Sequence, residues 1–303
     1  MFSGVIGESA ALSAAFLWAL SAVIYRRLGV SLPPIALNLY KGGIAVALLL
    51  VTVAWTQPGA FRTVDGYGAA LLLLSGIIGI GIGDTAFFAA LNRLGERLTV
   101  LLAETLAPPI SAVIALVFIG ETLDAGSLVG IAVTLCGVAL VIGKLPVGGR
   151  VAPFHQREGF LLAALAASAQ AVGAVLSREA LTQTDISPLM SALLRLTGGV
   201  LILVLWLAIG RRRFSVDAMR SGRVAAAVVT AAFLGTYLGL FLQQVSLKYA
   251  DTGVALTLLA TSSLFVLPLV FLRGERIGPR ALVGAVTAIV GVGMLFGAFG
   301  ETL

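Results

Sequence analysis

The stretch GETLDAGSLVGIAVTLCGVALVIG at residues 120–143 recurs in register as GERIGPRALVGAVTAIVGVGMLFG at residues 274–297. Gly-Glu opens both copies, Leu-Val-Gly and Gly-Val follow, and a Gly closes each. The match extends upstream, where Ala90-Leu91 and Ser246-Leu247 take equivalent places. A chain that doubles an apolar bundle inside lipid usually builds a pathway between the two copies.

The composition agrees with a lipid setting. Of 303 residues, 59% are hydrophobic and 11% charged, and mean hydropathy is +1.07. Soluble domains carry roughly 25% charged residues, so here the bilayer acts as solvent. The net charge of +6 does not point to nucleic acid, because the basic residues sit in short connectors between apolar segments. The single cysteine, Cys136, rules out an internal disulfide framework. The first apolar stretch has no basic region before it and is followed by Arg26-Arg27. A cleaved signal has the reverse order, so this segment reads as a retained helix.

Apolar segments of about 20 residues can cross a hydrocarbon core of roughly 30 Å. They fall near 9–25, 34–55, 67–91, 98–119, 125–143, 159–177, 187–209, 224–247, 253–272 and 279–298. The expected fold is an all-α membrane protein of ten spans, five in each repeat. The first repeat covers 1–145, a connector 146–157, and the second repeat 158–303. Connectors after odd spans hold Arg26, Arg27, Arg93, Arg97, Lys144, Arg150, Arg157, Arg211, Arg212, Arg213, Arg220, Arg223, Arg273, Arg276 and Arg280. The opposite side holds Arg62, Arg178 and Lys248. Positive loops stay cytoplasmic, so the 146–157 connector is expected inside and both termini outside. Five spans is an odd number, so the second repeat should be inverted relative to the first.

Specific pieces carry a resemblance. They are Ala-Leu-x-x-Leu-Gly at 90–95, Pro108-Pro109, Gly-Glu-x-Leu at 120–123, and Gly130 with Gly137. The second copy gives SLKYADTG at 246–253, Pro268, Gly274-Glu275, and Gly284 with Gly291. In this order and duplication the chain resembles the drug/metabolite transporter superfamily, specifically its EamA-type ten-helix members. That resemblance implies two inverted five-helix repeats around a central cavity. It also implies export of amino acids, other metabolites or drugs, as in the aromatic amino-acid exporters of the group. The setting implied is the cell (inner) membrane.

Four ionisable residues lie inside spans: Lys41, Asp84, Glu104 and Arg195. A charge at a span centre costs about 2.5–3.5 kcal/mol on insertion scales, which makes each a functional candidate. At 1.5 Å per residue, Lys41, Asp84 and Glu104 all sit roughly 10 Å below one interface. One cation and two carboxylates at one level suit coupling or gating; a structural ion cluster is the plainer reading. Arg195 matches Lys41 by inverted symmetry, but Leu240 and Ala260 stand where Asp84 and Glu104 have their counterparts. Arg195 is therefore a candidate anchor for a substrate carboxylate. Outward snorkelling, or pairing with Asp185 or Glu179, is the alternative.

A small-molecule cavity needs apolar walls and a few polar groups. Candidates are Trp18, Ser21, Asn38, Phe87, Gln170, Tyr237, Phe241, Gln243 and Gln244. Trp18 and Ser21 share a helical face, as do Tyr237, Phe241 and Gln244. Gly79 and Gly83 in span 3 match Gly235 and Gly239 in span 8. Pro108, Pro109 and Pro268 are expected to interrupt spans 4 and 9 and free carbonyls. These positions are candidate hinges; plain helix packing is the alternative.

No Walker A loop is present, and His155 with one distant cysteine makes no zinc site. The expected partners are a small molecule and the bilayer, with no cofactor, metal or nucleic acid, in a monomer or homodimer. The function expected is a secondary transporter exporting small metabolites, amino acids first, by alternating access. A multidrug or other metabolite transporter is the alternative. An intramembrane enzyme acting on a lipid phosphate is a more distant one.

Overall fold

The computed structural model describes residues 2–28, 34–94, 96–142, 153–209, 217–271 and 278–295. Lys144, Arg150, Arg211, Arg212, Arg213, Arg273, Arg276, Gly274-Glu275 and Gly297 lie outside them, as does most of the 146–157 connector. Among the described residues there is helix and no strand. The order is α1 (Phe2–Leu28), α2 (Pro34–Thr56), a short α3 (Ala60–Thr63) and α4 (Gly66–Gly76). A π-helical segment, π1 (Ile77–Gly83), continues into α5 (Asp84–Leu94), followed by α6 (Glu96–Phe118) and α7 (Ala125–Ile142). The second half has α8 (Pro153–Gln183), α9 (Pro188–Ile209), a 3₁₀ turn (Asp217–Arg220) and α10 (Gly222–Ala231). Then come π2 (Ala232–Leu238), α11 (Gly239–Tyr249), α12 (Thr252–Ala260), α13 (Ser262–Phe271) and α14 (Pro279–Leu295).

Among the described residues, seven helical stretches are long and apolar enough to cross a membrane: Val5–Tyr25, Ile35–Thr56, Gly66–Phe87, Thr99–Phe118, Arg157–Gln183, Pro188–Ile209 and Gly222–Tyr249. Three shorter apolar helices accompany them, at Ala125–Val141, Thr252–Phe265 and Pro279–Leu295. Helix starts follow local chemistry. Asp65 caps α4 by accepting the Gly68 N–H at 2.8 Å. Asp124 does the same for α7, taking the Ser127 N–H at 2.8 Å. Each satisfies a donor that the first helical turn leaves free.

The halves pack as a pseudo-symmetric pair. α7 lies against α14; α6 packs on α8 as α12 packs on α1; α5 packs on α8 as α11 packs on α1. Each contact maps onto another when the repeats are exchanged. Without a hydrophobic drive between helices in lipid, small residues decide which faces meet. Ala11, Ala14, Ala15 and Ala19 of α1 are buried, as are Ala163, Ala167, Ala171 and Ala174 of α8. The α7–α14 seam is tighter still. A Cβ on Gly137 would overlap the Ala288 backbone, and one on Gly284 would lie 2.7 Å from the Gly137 carbonyl.

Two proline expectations need correction. α6 runs unbroken through Pro108 and Pro109. The prolines remove the N–H partners of the Glu104 and Thr105 carbonyls, but packing on α8 and α12 holds the rod together. In the second repeat the break comes at Thr261, between α12 and α13, and Pro268 sits inside α13. The Thr261 N–H and hydroxyl both bond the Leu258 carbonyl, at 3.2 and 2.6 Å. That tightening ends α12 well before the proline.

Candidate functional site

Both π-segments fall at equivalent places, π1 in the first repeat and π2 in the second. The wider i→i+5 winding loosens the carbonyl ladder and recurs at functional sites. Gly79 and Gly83 lie in π1, Gly235 lies in π2, and Gly239 follows it directly. Between the two segments is a cavity of about 650 Å³.

Trp18, Ser21, Asn38, Lys41, Asp84, Phe87, Gln170, Arg195, Gly235 and Gln243 all line this cavity. Lys41 Nζ stands 3.7 Å from an Asp84 carboxylate oxygen and 5.8 Å over the Tyr25 ring. The Asn38 side chain is also within hydrogen-bonding reach of Asp84. A smaller cavity of about 190 Å³ adjoins, bounded by Trp18, Gly79, Gly83, Asp84, Phe87, Glu104, Pro108 and Gln170. Glu104 thus shares a wall with Asp84, as its depth implied, but forms no ion pair or hydrogen bond among the described residues.

Arg195 is the largest fully buried side chain among the described residues, 1% exposed. Its Nη2 donates to Gln170 Oε1 at 3.2 Å, and its Nη1 to Ser177 Oγ at 3.5 Å. Its Nε has no partner. It pairs with neither Asp185 nor Glu179, and no carboxylate forms an ion pair with it among the described residues. Asp84 acts on it only at longer range. Gly79 makes room for this arrangement: a Cβ there would stand 3.2 Å from Arg195 Nη2 and 3.3 Å from Gln170 Oε1. On the opposite side Trp18 Nε1 donates to the Gly235 carbonyl of π2 at 2.9 Å. Each π-segment is therefore met by a polar side chain from the other repeat.

Three expected lining residues go elsewhere. Tyr237 turns to α2, bonding Thr52 Oγ1 at 2.9 Å and stacking on Phe233 at 5.3 Å. Phe241 packs with it against the apolar cluster around Leu49 and Leu193. Gln244 is fully buried with neither amide atom bonded, and lies outside the cavity wall. Their shared face belongs to α2 and α9, while Gln243, one residue away, faces the cavity. The Thr257 and Thr261 hydroxyls donate to carbonyls of their own segment, those of Gly253 and Leu258. The sequence reading omitted Tyr25, although it continues the Trp18–Ser21 face by one more turn. It also omitted Ser177, whose hydroxyl bridges Arg195 and Ser75, the latter at 2.8 Å.

The charge inventory defines what the cavity can do. Lys41 and Asp84 offset one another, Arg195 is a cation whose hydrogen-bond partners are neutral, and Glu104 in the adjoining cavity is a carboxyl group without a bonded partner among the described residues. Indole, phenol and phenyl faces supply the apolar wall. Such a pocket suits a small molecule with one anionic group and an apolar body.

Comparison with known proteins agrees with this architecture. The profile of the EamA-like transporter family matches residues 5–143 and again 157–297. A solved structure titled "Crystal structure of protein" aligns over 99% of both chains, with a TM-score of 0.76 and 19% identity. At that identity it speaks for the fold alone. No curated protein matches at a significant level. Two matched copies cover nearly the whole chain, each ending on the glycine-bounded helix that first disclosed the repeat, and the protein belongs to the EamA-like transporter family of the drug/metabolite transporter superfamily.

Proposed function

We propose that this membrane transporter exports small metabolites, amino acids first, across the cytoplasmic membrane by alternating access. One observation carries the reading: the buried Arg195 guanidinium at the cavity wall has neutral partners and no ion-paired carboxylate. Burying an unpaired charge is costly, and a carboxylate arriving with the substrate offsets that cost through charge-assisted, bidentate bonds. Trp18, Tyr25 and Phe87 then contact the side chain. Lys41, Asp84 and Glu104 serve coupling or gating. Gly79, Gly83 and Gly235 serve as hinges within the π-segments and Gly239 as one directly after π2; Pro108 and Pro109 inside α6 and Pro268 inside α13 serve as further hinge positions, because each withholds a backbone donor.

In this reading the three shorter helices also span, giving ten. The basic connectors face the cytoplasm, and both termini face outward. Residues 1–145 and 158–303 are the two inverted repeats.

Uptake of labelled amino acids into proteoliposomes, with and without a pH gradient, is the deciding measurement. Losing a charge-assisted bond of roughly 1.5–3 kcal/mol weakens binding about 10- to 150-fold. Arg195→Gln should therefore impair free amino acids and spare their amides, which have no carboxylate to lose. Equal impairment of both would remove the amino-acid reading.

A further inference from the structure

The Gly-Glu pair that opens the repeated motif takes no part in the cavity. Gly120, at φ +69°, adopts a left-handed turn after α6. The Glu121 N–H returns to the Ala115 carbonyl at 3.2 Å, and its side chain points back over the bundle. One carboxylate oxygen meets Arg178 Nε at 2.5 Å; the other accepts the Thr252 N–H at 2.9 Å. Arg178 also donates to the Leu247 and Lys248 carbonyls, at 2.9 and 2.8 Å, and stands 3.6 Å from Asp251. Asp251 precedes α12 but makes no side-chain cap. Glu121, from the other repeat, satisfies that helix start in its place, where the helix dipole favours a negative charge.

The position of this cluster is the telling point. Cavity-lining residues on α1, α8, α9 and α11 stop at Trp18, Gln170, Arg195 and Gln243 and continue only toward Tyr25 and Leu203. Arg178 lies beyond Gln170 by about 12 Å of helix. Ala174, between them on α8, belongs with Leu247, Ala250 and Val254 to one buried apolar plug. The cluster ties the α6–α7 turn, the end of α8 and the α11–α12 turn together directly behind that plug.

We propose that Glu121, Arg178 and Asp251 form a latch that holds the far end of the cavity shut and opens when the transporter exposes its site to that side. This rests on the transport reading, but its test needs no substrate. Charge pairs that join moving elements are a recurrent switching device. Losing one partner leaves Arg178 short of a neighbour only in the closed state, so the open state gains population.

In a Cys136→Ala background, Ala174→Cys places a reporter within the plug. An impermeant thiol reagent is applied to each face of membrane vesicles, and Thr182→Cys, exposed beside the latch, identifies the latch side. Glu121→Gln should speed labelling of the reporter from that side by about 10-fold, with Ala45→Cys, in the other apolar cluster, unchanged. Asp251→Asn should give a smaller increase, and carries the test if Glu121→Gln does not fold. Unchanged reporter labelling, or equal acceleration at Ala45→Cys, overturns the latch. Failure of wild-type uptake for every amino acid would count against the transport reading and leave the accessibility result standing.

Discussion

Trp18 of the first repeat donates its indole N–H to the Gly235 carbonyl of the second, 2.9 Å away, inside a π-helical segment. Loosened winding offers that carbonyl; the other repeat supplies the donor. Gly239 permits the approach, because a Cβ there would press on Trp18 Nε1. Trp18→Phe keeps most of the apolar surface and removes the donor. Leaving the acceptor unsatisfied should cost about 1–3 kcal/mol, read as a drop in detergent-solubilised melting temperature. Undiminished stability would mean that the carbonyl finds another donor.

Gly79 and Gly83, both in π1, should respond differently to alanine. At Gly79 the new methyl meets Arg195 Nη2 at 3.2 Å and Gln170 Oε1 at 3.3 Å. Moving that pair should cost roughly 1–3 kcal/mol, seen chiefly as weakened substrate binding. At Gly83 the nearest atom is the Ala169 methyl at 3.4 Å, an ordinary contact, so Gly83→Ala should bind substrate as the parent does. Matching effects at both sites would argue against a special role for the Arg195–Gln170 arrangement.

The Lys41–Asp84 pair predicts a rescue. Asp84→Asn leaves Lys41 facing the cavity with only its contact to Tyr25. Stability should fall, and Lys41→Gln in the same chain should restore part of it, since removing both charges of a half-buried pair is milder than removing one. In proteoliposomes Asp84→Asn should lose pH-gradient-driven uptake more than equal-pool exchange. If the unmodified protein ignores pH gradients, the pair is structural.

The repeat, the helical class and the family were legible because glycine spacing and apolar run length are written directly in the sequence. So was the nearness of Lys41, Asp84 and Glu104 to one another, because helical rise sets which residues of neighbouring helices come level. Rotation about the helix axis was not. Gln243 and Gln244 read alike, yet one faces the cavity and the other is sealed away. Tyr237 was misread for the same reason: it sits inside π2, where the winding departs from 3.6 residues per turn and face assignments drift. The Glu121 side-chain contacts were hidden because their partners, Arg178 and Thr252, are distant in sequence.

The start of α7 gives a pH-dependent prediction outside the spans. Bonds from the Ser127 backbone N–H, then its hydroxyl, hold the Asp124 carboxyl below the usual aspartate value. A depressed acid stabilises the fold above its unfolded pKa and loses that contribution as pH falls through its folded value. Asp124→Ala should cost about 0.5–2 kcal/mol near neutrality. The gap between variant and parent should close as pH drops below the ordinary carboxylate range. A constant gap would assign the effect to something other than the charged cap.

Orientation is checked by labelling intact cells in a Cys136→Ala background. Gly59→Cys, after α2, should react with an impermeant reagent from outside. Ser221→Cys, before α10, should react only after permeabilisation. The reverse pattern would overturn the charge-based topology.

The α7–α14 seam has a consequence for how the molecule holds together. Each helix ends its own repeat, and the two are zipped along Gly130, Gly137, Gly284 and Gly291, where backbone approaches backbone and the Leu295, Leu140 and Thr134 side chains fill the notches. Two separately translated polypeptides, cut within residues 146–152, should find one another in the membrane and assemble, because each half carries the mould of the other.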